Sequence, residues 1–329
     1  MHLEMKPHGR RTRGDSARTP AAQGKVSREP ICFLPGPVAL SDSVQAAFRE
    51  PILYHRDDSF LPLFNRVRDR LSDLVSSPRT GMLVGSGTLA NEVVAATLAA
   101  EGQRGNGLVL VSGEFGGRLL KQANRWGLAP RVQTWDWGKP WDLAAVEAAM
   151  RELPKDGWVW GVHHETSTGV LNDVPGLVAL AKKHGKRVCL DCVSSIGTVP
   201  VDLSGVYLAS GTSGKAIGSY AGLAFVFGDP AKLKHVEADG LPDYLDVPAV
   251  LNANGPRFTV PSPLVRALDA LFPGLPGPLA RFIGQDVDSL IARLPENVRN
   301  DPEAVKEFKK SFEQEQKYAR QMVYGLLGA

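Results

Sequence analysis

The chain has 329 residues, 43% of them hydrophobic and 22% charged, and a formal net charge of +3. That length allows one large or two ordinary domains, and the composition excludes both a disordered chain and a collagen-like one. No stretch approaches the roughly 18 consecutive apolar residues of a membrane-spanning helix, so no membrane partner is expected. The excess positive charge lies in residues 1–29, where Lys6, Arg10, Arg11, Arg13, Arg18, Lys25 and Arg28 outnumber Glu4, Asp15 and Glu29. The rest of the chain is left near neutrality, without an extended basic surface for nucleic acid.

Residues 1–30, rich in Arg, Ser, Thr, Pro and Gly and lacking apolar periodicity, are predicted to form a disordered basic tail. An organellar transit peptide or an overlong translation start would have the same composition. Otherwise a cytoplasmic location is expected, because three cysteines, Cys32, Cys189 and Cys192, cannot all pair and suit a reducing compartment. Cys189 and Cys192 form a C-x-x-C spacing inside an apolar run with no second pair, which favours buried thiols over metal or redox chemistry.

From about residue 80 short β-runs alternate with helical segments. Strands are predicted at 81–84, 108–111, 132–135, 158–162, 187–191, 207–209 and 223–227. Helices are predicted at 89–100, up to Trp126, and at 142–151 and 174–184. This alternation predicts an α/β fold with a mostly parallel sheet covered on both faces, whose ligands sit beyond the carboxyl ends of the strands. Past residue 260 the strand signal stops. A helix is predicted over Pro261 to Phe272, a breaker over Pro273 to Pro278, and a long charged helix over Pro302 to Leu327.

Three local patterns can carry chemistry. Gly85-Ser86-Gly87-Thr88 ends the first strand and opens a helix, which suits either an anion held by free amides and two hydroxyls or an ordinary capped turn. Asp191 ends an apolar strand, as a cap or as the partner of a protonated ring nitrogen. Lys215 lies in the small-residue stretch Ser210 to Gly218, as a surface lysine or as a desolvated amine able to form a Schiff base. His163 and His164 lack a partner spaced for metal binding and read as polar lining of a pocket. Trp135, Trp137 and Trp141 read as strand-end packing.

The order of these patterns resembles fold-type I, class V aminotransferases that use pyridoxal 5'-phosphate, the group of alanine:glyoxylate, serine:pyruvate and 2-aminoethylphosphonate:pyruvate transaminases. The matching stretches are FLPGP (33–37), VGSGTLANE (84–92), SGEFGGR (112–118), HHETSTGVLND (163–173), LDCVSSIG (190–197) and SGTSGKAIGSYAGLAFVF (210–227). The resemblance covers about residues 31–265 and implies a large cofactor domain with an N-terminal arm at 31–258. Its sheet would be of the seven-stranded type, followed by a reduced helical region at 259–329. It makes Lys215 the lysine that holds the cofactor aldehyde and shuttles the substrate proton, and Asp191 the carboxylate at the pyridine nitrogen. Ser86, Gly87 and Thr88 become the phosphate turn, Phe115 the ring stacked on the pyridine, and Thr166 a hydroxyl near the 3'-oxygen. Thr259 would reach the phosphate bound in a partner subunit, which implies a homodimer.

This chain departs from the family pattern at Gly214, where a polar residue often helps hold the phosphate, and at Pro256, where alanine:glyoxylate enzymes carry a tyrosine. Only 70 residues follow Thr259, and no motif maps Arg281, Arg293, Arg299 or Arg320 onto the arginine that clamps a substrate carboxylate. The C-terminal part is expected to be either reduced or truncated. The implied reaction moves the amino group of alanine, serine or glycine to pyruvate or glyoxylate. A 2-aminoethylphosphonate transaminase, a lyase of the same class, and a cofactor-binding chain without turnover are the alternatives.

Overall fold

Runs of Val, Leu, Trp and Phe four to seven residues long, too short for helices and buried on both sides, assemble the sheet predicted from their spacing. The computed structural model describes residues 36–233, 241–272, 291 and 299–310. The basic tail, Phe33 to Pro35 of the first motif, the breaker at Pro273 to Pro278 and the end of the helix expected to reach Leu327 lie outside the described residues.

In chain order the elements are α1 (Asp42–Phe48), α2 (Phe60–Leu74), β1 (Arg79–Gly85), α3 (Gly87–Ala100), β2 (Gly107–Val111), α4 (Glu114–Arg125), β3 (Arg131–Thr134), α5 (Leu143–Arg151) and β4 (Trp158–Val162). There follow β5 (His164–Glu165), β6 (Val170–Leu171), α6 (Val174–Lys183), β7 (Arg187–Asp191), β8 (Leu208–Thr212), β9 (Gly222–Gly228), α7 (Val247–Asn252) and α8 (Ser262–Asp269). Seven strands form one sheet in the order β1-β9-β8-β7-β4-β2-β3, and β5 pairs with β6 in a separate hairpin. β9 runs antiparallel to both its neighbours, and every other pairing in the large sheet is parallel. Six strands therefore point their carboxyl ends the same way.

Alternation along each strand sends successive residues to opposite faces, and each face has its own core. Met82, Leu108, Leu110, Val159, Leu190, Phe225 and Phe227 lie in one. Val109, Trp158, Trp160, Cys189, Leu208, Ala224 and Val226 lie in the other. Asp142 and Asp173 start α5 and α6 by accepting hydrogen bonds from Ala144 N and Gly176 N, the side-chain capping their sequence positions favour. At the opposite end of the sheet from the strand carboxyl termini, Glu101 ties α3 to β7 and β8. It pairs with Arg187 at 2.7 Å and accepts the Tyr207 hydroxyl.

Several expectations are corrected. α1, α2 and α7 add helices not predicted from the sequence, and the helix expected to reach Phe272 spans Ser262–Asp269. Trp135 and Trp141 pack on the core, but Trp137 is 65% exposed because the chain turns outward past the edge strand β3. Cys189 and Cys192 are buried free thiols, and burial pushes the Cys189 thiol up to about 12.

Candidate active site

The functional side chains stand where parallel strands hand over to their next segments. Between β1 and α3, Ser86 is extended (φ −104°, ψ 173°) and makes no side-chain cap. The first helical amide to find an acceptor is that of Ala90, which donates to Ser86 O. Among the described residues the Gly87, Thr88 and Leu89 amides have no protein acceptor, leaving a helix N-terminus open to an anion. A Cβ at Gly87 would stand 2.6 Å from Val193 Cγ2, so only glycine lets this turn approach the segment after β7.

At the end of β7, Asp191 is 6% exposed. Its Oδ1 accepts the Val193 amide at 2.9 Å, and its Oδ2 accepts Asn91 Nδ2 at 2.8 Å. Asn91 is held in turn by the Ser210 hydroxyl, which donates to Asn91 Oδ1 at 2.6 Å. Burial raises the Asp191 pKa, the hydrogen bonds from Val193 and Asn91 oppose that rise, and the Glu165 charge adds to it. The result is a fixed carboxylate with heightened proton affinity, suited to a cationic N–H.

Lys215 lies in the connection between β8 and β9. Ser213 anchors that connection: its amide donates to Leu223 O, its hydroxyl donates to Tyr220 O, and its Oγ accepts the Leu223 amide. Gly36 abuts the lysine stem, where a Cβ would meet Lys215 Cδ at 2.3 Å. Phe115 enters from the first turn of α4, with the Arg118 guanidinium 4.9 Å from its ring centroid.

Ser86, Gly87, Thr88, Phe115, Asp191 and Lys215 line one cavity of about 360 Å³. Six of the eight residues singled out from the sequence thus converge. Gly214 lines the cavity as well. Thr166 is not in that lining and sits in the turn of the β5–β6 hairpin, next to Glu165. Thr259 is exposed, with its hydroxyl 3.5 Å from His55 Nε2. The expectation that His163 and His164 line the pocket is corrected. Neither is in its lining, because β4 carries His163 into the interior, where burial lowers its pKa to about 4. The described residues hold no cluster of three or more His, Cys, Asp or Glu side chains arranged for a metal ion.

The cavity also uses residues to which no sequence motif assigns a role. Asn91 lies four residues after Gly87, so helical periodicity places both on one face of α3. Gln122 donates to Thr88 O and to Glu92, tying α4 to α3. Arg118, Lys121 and Arg125 supply a cationic wall, spaced at i, i+3 and i+7 along α4, a pattern readable once the helix is known.

The family model for aminotransferase class V matches residues 42–238. The chain belongs to the class V aminotransferases. Members of this class use pyridoxal 5'-phosphate, and the open amides, buried carboxylate, lysine and aromatic ring of this cavity suit that cofactor. It is 32% identical to the 2-aminoethylphosphonate–pyruvate transaminase of Pseudomonas putida KT2440, over 74% of this chain and 68% of that one. It is equally identical to the enzyme of the same name from Klebsiella pneumoniae, over 63% of this chain and 58% of that one. The chain therefore spans about three fifths to two thirds of the length of these relatives. Among solved structures, the alanine–glyoxylate aminotransferase of Nostoc sp. matches with a TM-score of 0.69 and 28% identity, over 83% of this chain and 76% of that one. The aspartate aminotransferase of Thermus thermophilus gives 0.63 and 29%, over 73% and 69%. The resemblance to fold-type I enzymes and the seven-stranded sheet expected from the sequence thus hold, and no described helix is long and apolar enough to cross a membrane.

Proposed function

We propose that this aminotransferase moves the amino group of a small donor, alanine, serine or glycine, to pyruvate or glyoxylate. The observation that carries this reading is the convergence of Lys215, Asp191 and the open N-terminus of α3 on one cavity. Bound there, pyridoxal phosphate supplies an electrophilic aldehyde and a ring that withdraws electrons from the substrate carbon. The amides of Gly87, Thr88 and Leu89 bind the phosphate, and the Ser86 and Thr88 hydroxyls add donors. Asp191, immobilised by Asn91 and Val193, holds the proton on the ring nitrogen. Phe115 covers one ring face, and Lys215 Nζ moves the proton from the donor's Cα as a general base.

Thr166 is proposed to approach the 3'-oxygen, and Thr259 to reach the phosphate site of a second copy in a homodimer in the cytoplasm. A second reading takes 2-aminoethylphosphonate as the donor. The names of the curated relatives support it, as does the cationic wall of Arg118, Lys121 and Arg125, which suits a doubly charged phosphonate.

Borohydride reduction of the cofactor-loaded protein tests the assignment. Label should be fixed on the peptide containing Lys215 and lost in Lys215→Ala, whereas unchanged fixation in that variant refutes it. Turnover of alanine, serine, glycine and 2-aminoethylphosphonate with pyruvate then separates the two readings by relative kcat/KM.

A further inference from the structure

The two strand-to-helix junctions that face the cavity are built in opposite ways. After β1, the first amides of α3 are left open. After β2, the first amides of α4 are all taken. The Glu114 amide donates to Ser167 Oγ at 3.1 Å, and the Phe115 and Gly116 amides donate to Glu165 Oε1 and Oε2 at 3.3 and 3.0 Å. Glu165 is wholly buried, and its Oε1 also accepts the Ser167 hydroxyl at 2.6 Å and the Ser167 amide at 3.3 Å. A carboxylate from a separate hairpin thus sits on the positive end of α4, where its charge is favourable and where it excludes any external anion.

The backbone is shaped for this contact. A Cβ at Gly113, the residue before α4, would stand 2.6 Å from both Glu165 Cδ and Ser167 Oγ, so glycine there lets the β5–β6 hairpin close on the helix. The side chain that emerges from this fastened turn is Phe115, a wall of the cavity. We propose that Glu165 is a positioning residue for the cofactor: by bonding the Phe115 and Gly116 amides it fixes the plane of the aromatic ring against which the cofactor stacks. The same carboxylate lies near enough to Asp191 for its charge to add to the effect of burial on that group. Glu165 therefore acts on the ring-stacking wall through hydrogen bonds, and on Asp191 only through its charge, which opposes ionisation of that carboxyl.

This inference rests on the reading that pyridoxal phosphate occupies the cavity, and a double-mutant cycle tests it on the full chain. Affinity of the cofactor-free protein for pyridoxal phosphate is read by tryptophan quenching, and ring orientation by circular dichroism of the bound cofactor in the visible region. Phe115→Ala should weaken binding by up to about tenfold, the scale of one aromatic stacking contact. Glu165→Ala should weaken it comparably and collapse the dichroic band. The double variant should be little worse than either single one, because both remove the same stacking. Glu165→Gln, which keeps one acceptor oxygen, should fall between wild type and Glu165→Ala, and it replaces that variant in the cycle if Glu165→Ala does not fold. Multiplicative losses in the double variant, or wild-type affinity and dichroism in the Glu165 variants, would overturn the inference alone. A wild-type chain that takes up no pyridoxal phosphate would instead overturn the reading beneath it.

Discussion

Replacing Asn91 by alanine strikes the support of Asp191 without touching the carboxylate. The change removes a charge-assisted hydrogen bond of 2.8 Å to a buried carboxylate and the acceptor of a 2.6 Å bond from the Ser210 hydroxyl. A hydrogen bond to a buried charge contributes about 1.5–3 kcal/mol, and a neutral one about 1 kcal/mol. Ser210 retains only a longer bond of 3.4 Å to Leu190 O. Asn91→Ala should therefore cost the cofactor-free protein about 2–4 kcal/mol, which for a chain of this size lowers the melting temperature by roughly 3–6 °C. Loss of the Asn91 bond also leaves burial less opposed, so the Asp191 pKa rises further. Asn91→Asp keeps the shape but places two carboxylates in contact that can hold one negative charge between them. Both deficits should shrink at acid pH, where Asp191 is protonated, and deepen towards neutrality, more steeply for Asn91→Asp because it adds a second carboxylate. Calorimetry across that range is the assay. A melting temperature within about 1 °C of the parent for both variants would refute the view that Asn91 carries Asp191.

Three further outcomes are expected. His163 is buried, and its pKa falls from 6.5 to about 4. The unfolded chain therefore binds the extra proton between these values, and stability should drop by about 3 kcal/mol as pH falls through that window; denaturant titrations should show that slope vanish in His163→Leu. Gly36→Ala places a methyl group 2.3 Å from Lys215 Cδ, and the displaced amine should slow cofactor attachment, followed by visible absorbance, while the far-ultraviolet spectrum stays unchanged. Glu101→Ala leaves Arg187 without its buried partner and should cost about 3–5 kcal/mol; a urea midpoint equal to the parent's would show the pair to be energetically idle.

Much of the site was legible because its parts are local. The Gly85 to Thr88 turn, Asp191 at a strand end and Lys215 among small residues are each located by strand punctuation, which leaves their roles open until their order is seen to resemble the class V pattern, and the parallel sheet places all three at its carboxyl end. Parts that depend on tertiary contact were not legible. Glu165 resembles any polar residue in a short loop until the hairpin is seen folded onto α4, and His163 follows a strand as a pocket residue would. The sheet was readable from its apolar runs. α2 is hard to read from the sequence although Phe60, Leu63, Phe64, Val67 and Leu71 bury one helical face, because its charged residues dilute the apolar run between them. Trp137 shows the converse, since nothing local tells a tryptophan that packs from one that the chain turns outward.

The antiparallel return of β9 has a consequence for how this chain can vary. The other large-sheet strands are joined by helices or longer loops, which absorb changes in length, but Lys215 occupies the nine-residue link 213–221 of a hairpin whose two sides are held in register from Leu208 opposite Gly228 to Thr212 opposite Ala224. If a residue gained or lost in that link were taken up by sliding β9 one position, Phe225 and Phe227 would exchange layers with Ala224 and Val226, emptying one core and overfilling the other. Mutational drift in the lysine loop is thereby screened by folding before it is screened by catalysis. Tolerated insertions should accumulate in the helical crossovers, and the segment bearing the reactive amine should keep its length even where its side chains change.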